Sequence, residues 1–309
     1  MTKYLVFGHK NPDTDTIASA LTFAYFLNQE GHEAEAVALG EITGEPAFAL
    51  DKFGFDYPRV IETAANEVVH VALVDHNEPQ QSVDDLDQVQ VDYVIDHHRI
   101  SGFNTSQPLF YRAEPIGCTA SILYKLFKEY GHEIPQNYAG IMLSAIISDT
   151  LLFKSPTTTD QDKAIGQELA KIAQVDLEAY GLEFLKAGAD LSKQTDEDIV
   201  EGDAKTFILK DQHVRIGQVN IIGFDEILSR KQGLLAVMEA KRQELDLDLY
   251  LMVLTDVLES TSLGLAIGRD LSLVEEAFDT KIEDQVLELA GVVSRKKQVV
   301  PPLTAVYNR

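Results

Sequence analysis

The residue types best suited to chemistry in this chain are one imidazole and two carboxylates in a single short loop. They are His9, Asp13 and Asp15, within Gly8-His9-Lys10-Asn11-Pro12-Asp13-Thr14-Asp15-Thr16. Asp75, His97 and Asp149 extend the set further along the chain. Every candidate ligand is oxygen or nitrogen, so a cysteine-type structural zinc site is excluded. Carboxylate plus imidazole suits Mn²⁺, with Co²⁺ or Mg²⁺ as competitors. A catalytic ion that keeps an open position needs fewer ligands than this, whereas two ions sharing a bridging carboxylate would use them all. A competing explanation is that Asp13 and Asp15 are helix caps ahead of Thr16. A histidine taken singly from the eight present is also more often a surface residue than a ligand. The segment Asp96-His97-His98 is a second motif, with two imidazoles side by side. Successive side chains of an extended segment point to opposite sides, so His97 and His98 are expected to face differently. One would be a ligand, and the other would be free to touch substrate or donate a proton.

The elements that must position these groups read as alternating strands and helices. Strands are expected over 3–7, 35–39, 68–74 and 91–95. Helices are expected over 16–29, 45–53, 118–130, 136–147, 160–174 and 177–186. Such alternation implies a parallel sheet covered on both faces. His9, Asp75 and His97 each follow a predicted strand, and ligands of open parallel sheets bind outside the carboxyl ends of the strands. The small polar run 187–195 reads as a break, after which the texture changes. A hairpin is expected over 205–209 and 214–222, a long helix over 227–244, strands over 249–254 and 262–267, and a late helix over 284–290. The fold class is therefore α/β: an N-terminal domain with a mainly parallel sheet flanked by helices, plus a smaller mixed α/β C-terminal domain. The expected division is a metal-binding catalytic domain over 1–188, a linker over 189–195 and a substrate-binding domain over 196–309.

A length of 309 residues with a 45% hydrophobic fraction accommodates two cores of ordinary globular type. The net charge of −24 argues against a surface for duplex nucleic acid, which needs clustered Lys and Arg. It does not exclude a small anion held by metal ions and local cations. No apolar run approaches the ~20 residues needed to span a bilayer, and no signal peptide is evident. Cys118 is the only cysteine, so no intrachain disulfide is possible and a reducing cytoplasm is expected.

His9-x-x-x-Asp13-x-Asp15, the strand-end Asp75 and Asp96-His97-His98 together resemble the DHH phosphoesterase superfamily. Ser294-Arg295-Lys296-Lys297-Gln298 resembles, more narrowly, the signature of family II inorganic pyrophosphatases, the manganese-dependent type. The resemblance spans essentially the whole chain. It implies that His9, Asp13 and Asp75 hold one Mn²⁺, and that Asp15, Asp75, His97 and Asp149 hold the other, with Asp75 bridging. It implies that His98, Lys205, Arg295 and Lys296 contact substrate, with His98 a candidate proton donor, and that a further Mg²⁺ arrives with substrate. A cytosolic homodimer is likewise implied. Arg295 and Lys296 also have a reading of their own: Arg offers a planar fork and Lys a point charge to a compact phosphoanhydride. The expected reaction is hydrolysis of pyrophosphate by a metal-activated water in a cleft between the domains. Alternatives are an exopolyphosphatase, another DHH phosphodiesterase, or a nonenzymatic metal or nucleotide sensor. The nucleases and cyclic-dinucleotide enzymes of the superfamily usually carry a Gly-Gly-Gly-His-like segment that this chain lacks. The interval from Asp75 to Asp96 is too short for a regulatory insert.

Overall fold

A computed structural model of the chain describes residues 2–192 and 194–309. Met1 of the first expected domain and Lys193 of the expected linker lie outside the described residues. The chain forms two compact units, Met1–Ala187 and Gly188–Arg309.

The first unit runs β1 (Lys3–Phe7), α1 (Thr14–Gln29), β2 (Glu33–Ala36), α2 (Gly44–Phe53), β3 (His70–Val74), β4 (Gln90–Asp96) and β5 (Phe110–Ala113). It continues as α3 (Thr119–Tyr130), α4 (Gln136–Thr150), α5 (Asp160–Ala173) and α6 (Leu177–Gly188). The five strands form one sheet in the order β2-β1-β3-β4-β5, parallel throughout. Leu5, Val6 and Phe7 of β1 and Val71 to Val74 of β3 are completely buried. Such uninterrupted apolar runs are what a sheet covered on both faces demands. Leu5, Phe7, Val71, Leu73 and Val94 converge in one core, while α1 packs on α3 and α4, and α4 on α2 and α5. The chain passes from β1 to β2 on one side and then to β3 on the other. The sheet therefore has its topological switch between β1 and β3, where such sheets open a crevice at their carboxyl edge.

The second unit contains α7 (Asp196–Glu201), β6 (Ala204–Leu209), β7 (Gln212–Ile221), α8 (Asp225–Ser229), α9 (Lys231–Glu244), β8 (Leu249–Asp256) and β9 (Thr261–Gly268). These are followed by α10 (Ser272–Phe278), β10 (Val286–Leu289), a π-helical turn at Arg295–Val299 and α11 (Val300–Tyr307). Its sheet, ordered β10-β9-β8-β7-β6, is mixed. The β7–β8 pair is parallel and the others antiparallel. Alternate residues of the fully buried β8 feed separate cores, Leu249, Leu251 and Val253 on one face and Tyr250, Met252 and Leu254 on the other, as the period of a strand requires.

Two expectations are corrected here. The helix expected over 284–290 is strand β10, paired antiparallel with β9. Leu287 and Leu289 are buried and Glu288 is exposed, so the governing period is two. The helix expected over 227–244 is broken between α8 and α9 at Arg230, whose guanidinium turns to the carbonyls of Leu191 and Gln194 and to the Asp196 carboxylate. Edge strand β5, only four residues long and without a buried position, is not among the expected strands.

Candidate metal centre

The site begins with the ends of three neighbouring strands. His9 follows β1, Asp75 follows β3 and His97 follows β4, and those strands are adjacent in the sheet. Asp75 holds a left-handed backbone conformation (φ 57°), uncommon for a residue with a side chain, and is 1% exposed. Its two carboxylate oxygens look in different directions. Oδ2 lies 3.6 Å from His9 Nε2, and Oδ1 lies 3.6 Å from both His97 Nε2 and His98 Nδ1. Thr16 Oγ1 donates to Oδ2 at 2.9 Å and Thr119 Oγ1 to Oδ1 at 3.1 Å. The carboxylate is thus clamped between the first turns of α1 and α3.

Asp13 does two things at once. It is the N-cap of α1, its Oδ1 accepting from the Thr16 N–H at 2.9 Å, while Oδ2 lies 3.2 Å from His9 Nε2. Capping and metal-ligand geometry were competing explanations for this residue, and the side chain accommodates both. His9 Nδ1 is 2.8 Å from the Lys10 carbonyl. A carbonyl only accepts, so in the neutral ring the proton sits on Nδ1 and the Nε2 lone pair faces Asp13 and Asp75. Asp15, inside α1, reaches the N-terminus of α3. It accepts from the backbone N–H groups of Thr119 at 2.6 Å and Ala120 at 3.0 Å, and from Ser19 Oγ at 2.8 Å. A carboxylate at a helix N-terminus is electrostatically favoured.

His97 repeats the arrangement of His9. Nδ1 faces the Ile116 carbonyl at 3.0 Å, and Nε2 lies 3.6 Å from Asp75 and 3.8 Å from Asp149. Asp149 lies within the last turn of α4, which runs on past the end expected at 147. The expectation that His97 and His98 face opposite sides is corrected. Strand β4 ends at Asp96, both histidines fall in the following turn, and their rings meet edge to face at 4.2 Å. Asp96 holds the second ring: its Oδ1 accepts from the His98 backbone N–H and faces His98 Nδ1, each at 2.9 Å. Burial alone would push Asp96 up, but the His98 ring, the Asn77 amide and the His98 N–H hold it well below the usual carboxylate range.

Among the described residues, three groups of side chains place potential ligand atoms within 4.8 Å of one another: His9, Asp13 and Asp75; Asp15, His97 and Asp149; and Asp75, His97 and His98. Their electrostatics fit divalent cations. Desolvation and then the charges of Asp15, Asp13, Asp149 and Asp96 drive the Asp75 carboxyl well above its ordinary value. A bound cation removes that repulsion. The sole cysteine, Cys118, is buried beside the same carboxylates, and burial first and then Asp15 push its thiol up. It therefore remains a neutral thiol.

The sequence reading did not single out Thr16, Thr119 or Asn77. Thr16 stands three residues after Asp13, a capping spacing that offered a signal. Thr119 and Asn77 carried none, because they meet their partners only through the fold. Asn77 donates to Asp96 Oδ2 at 2.6 Å and accepts from the Ser101 N–H at 2.9 Å.

Lys205, Arg295 and Lys296 belong to the second unit. Arg295 starts the π-helical turn. Its guanidinium donates to the Asp203 carbonyl and carboxylate, both at 2.7 Å, which anchors it two residues from Lys205 on β6. Ser294 caps the turn. Gln298 Oε1 accepts from the Val293 and Ser294 N–H groups, and Nε2 donates to the Gly291 carbonyl. Ser294 and Gln298 thus build the loop that presents Arg295 and the exposed Lys296.

A profile of the DHH family, N-terminal domain, matches residues 3–146, and one of the DHHA2 domain matches residues 182–306. With the parallel sheet and its Asp/His cluster at the strand ends, these matches define the class, the DHH superfamily. The manganese-dependent inorganic pyrophosphatase of Bacillus subtilis is 56% identical over 304 residues, covering 98% of each chain. The probable manganese-dependent inorganic pyrophosphatase of Lactobacillus delbrueckii subsp. bulgaricus is 56% identical over 310 residues, covering 100% of both. The crystal structure of a putative family II inorganic pyrophosphatase from Methanococcus jannaschii matches with a TM-score of 0.88 at 41% identity, covering 99% of this chain and 100% of that one. The chain belongs to the family II, manganese-dependent inorganic pyrophosphatases.

Proposed function

We infer that the chain hydrolyses inorganic pyrophosphate to two phosphates with Mn²⁺ held by the Asp/His cluster. The observation that carries this reading is Asp75, whose two oxygens face His9 on one side and His97 on the other. His9, Asp13 and Asp75 would hold one ion, and Asp15, Asp75, His97 and Asp149 the second. When bound, such a pair supplies Lewis acidity and a water acidic enough to attack phosphorus near neutral pH.

The side chains supply the rest. Asp96 fixes the His98 ring, so that His98 meets a phosphoryl oxygen and hands a proton to the departing phosphate. Arg295, Lys205 and Lys296 neutralise the charge that grows on that phosphate. Cations at the start of a helical segment oppose its dipole. The loop of Arg295 and Lys296 therefore concentrates positive charge at one place, which favours an anion there. The same reading gives the first unit to metal binding and the second to substrate. It includes two Mn²⁺ per subunit, with Co²⁺ or Mg²⁺ as substitutes, a further Mg²⁺ entering with substrate, and a cytosolic homodimer. Family membership supports these assignments.

The test is phosphate release from pyrophosphate, tripolyphosphate and a short dinucleotide, each with Mn²⁺, with Mg²⁺ alone and after chelation. Pyrophosphate with Mn²⁺ is expected to be fastest and chelation to stop it. Preference for the dinucleotide, or hydrolysis of none of the three, overturns the reading.

A further inference from the structure

We propose that Asp162 is a positioning residue for the ion held by His97, acting through the peptide group between Ile116 and Gly117. The inference rests on His97 being a metal ligand. The carbonyl end of that peptide faces His97 Nδ1 at 3.0 Å. The N–H end of the same peptide donates to Asp162 Oδ2 at 3.0 Å. A carboxylate at the N–H end polarises the amide and increases the negative charge on its oxygen, since hydrogen bonds in a chain strengthen one another. The oxygen becomes a stronger acceptor for Nδ1–H. That holds the ring in one tautomer and one orientation, and it raises the donor strength of Nε2, the atom facing Asp75 and Asp149. Metal-binding histidines commonly give their other N–H to a carboxylate or a carbonyl. Here a carboxylate acts with a peptide interposed.

Three features separate this role from plain helix capping. Asp162 is 0% exposed, and it accepts from four donors on three segments. Besides Gly117, these are Ser121 Oγ at 2.7 Å on α3, and the Thr159 N–H and Oγ1 at 2.8 and 2.7 Å. The carboxylate therefore has no freedom to turn away from the peptide. Gly117 is the residue that permits the approach, because a Cβ there would stand 2.7 Å from Asp162 Oδ2. The second unit supplies a comparison. Thr195 and Asp198 form the same capping box on α7, and that carboxylate lies exposed, bonded to Thr195. Capping a helix with Thr-x-x-Asp does not require a buried aspartate or a glycine pressed against it.

The experiment uses the full chain stripped of metal by chelation, with three readouts: Mn²⁺ affinity by calorimetric titration, the ring ¹⁵N shifts of His97 in histidine-labelled protein, and the unfolding temperature. Asp162→Asn is expected to weaken Mn²⁺ binding at one site by about tenfold or more and to move the His97 shifts toward a mixture of tautomers. Gly117→Ala, which displaces the carboxylate without removing it, is expected to do the same. Thr195→Ala, which removes the matching cap on α7 and leaves every contact of Asp162 intact, is expected to lower the unfolding temperature while leaving Mn²⁺ affinity and the His97 shifts in place. Parental affinity and shifts in both Asp162→Asn and Gly117→Ala overturn the proposal. So does a Thr195→Ala protein that loses as much affinity as Asp162→Asn, since the loss would then follow destabilisation rather than the contact to Gly117. An unchanged Mn²⁺ titration in His97→Ala overturns instead the ligand reading beneath it.

Discussion

The Asp/His cluster of the first unit and the Arg/Lys loop of the second are organised in opposite ways. In the cluster the functional side chains themselves are immobilised. Asp75 and Asp15 are each 1% exposed, both are tied to α3, and His9 and His97 each have one ring nitrogen against a carbonyl. In the loop the backbone is immobilised instead, by Ser294, Gln298 and Gln218, whose Oε1 accepts from the Arg295 N–H at 3.1 Å. Arg295 is clasped by Asp203, and Lys296 is left exposed. Inner-sphere ligands act at bond length, so their atoms need prior placement. Cations act through space on a diffuse charge, so holding the chain that carries them is enough.

The largest test of this contrast is at its buried end. Asp75→Asn is expected to lower turnover of pyrophosphate by about 10³-fold or more, the scale of losing a preorganised electrostatic group, and to weaken both Mn²⁺ sites together. The metal-free variant should nonetheless unfold at a higher temperature than the metal-free parent, because one charge is removed from a buried group of like charges. Calorimetry with and without a chelator checks both. In the parent, each ion at a hundredfold excess over its Kd should add about 2.7 kcal/mol of stability. If Asp75→Asn weakens only one site, the carboxylate is not shared.

At the exposed end, Arg295→Ala is expected to lower kcat/KM for pyrophosphate by about 10²-fold. Lys296→Ala should lower it by roughly tenfold, since an exposed charge is screened by solvent and salt. Arg295→Lys should not rescue the first loss, because an ammonium cannot reproduce the fork that Asp203 orients. None of the three should alter Mn²⁺ affinity. Parental turnover in Lys296→Ala would remove the loop from the reaction, and loss of Mn²⁺ in any of them would merge the two regions that are contrasted here.

Some of this was legible along the chain. His9, Asp75 and His97 stood out because apolar runs end just before them, a local feature that marks a strand edge in a parallel sheet. The side-by-side order of β1, β3 and β4 was an added assumption, since adjacency is decided by how the sheet packs. The reach of Asp15 to α3 and the hydroxyls of Thr16 and Thr119 on Asp75 depend on contacts between distant segments. No spacing records them. The opposed orientation expected of His97 and His98 assumed that the chain stays extended beyond the strand, whereas it bends after Asp96 and brings the two rings together. In the second unit, Val286 to Leu289 was too short a run to separate strand from helix by periodicity alone.

Gln298 offers the smallest effect and the most direct probe of backbone organisation. It touches none of the groups assigned to chemistry, yet its amide joins Gly291, Val293 and Ser294. Gln298→Ala leaves the N–H groups of Val293 and Ser294 without their acceptor. The segment is partly open to water, so the loss should be limited to about 1–2 kcal/mol of unfolding free energy. If holding the chain is what places the cations, KM for pyrophosphate should rise several-fold while kcat changes less and Mn²⁺ affinity stays parental. The reasoning is that a loosened loop binds the anion less well in the ground state but still reaches the same reacting geometry once bound. Unchanged KM in a destabilised Gln298→Ala protein would mean that Asp203 and Gln218 suffice to hold Arg295, moving the organising contacts of the loop from its own sequence to the strands β6 and β7.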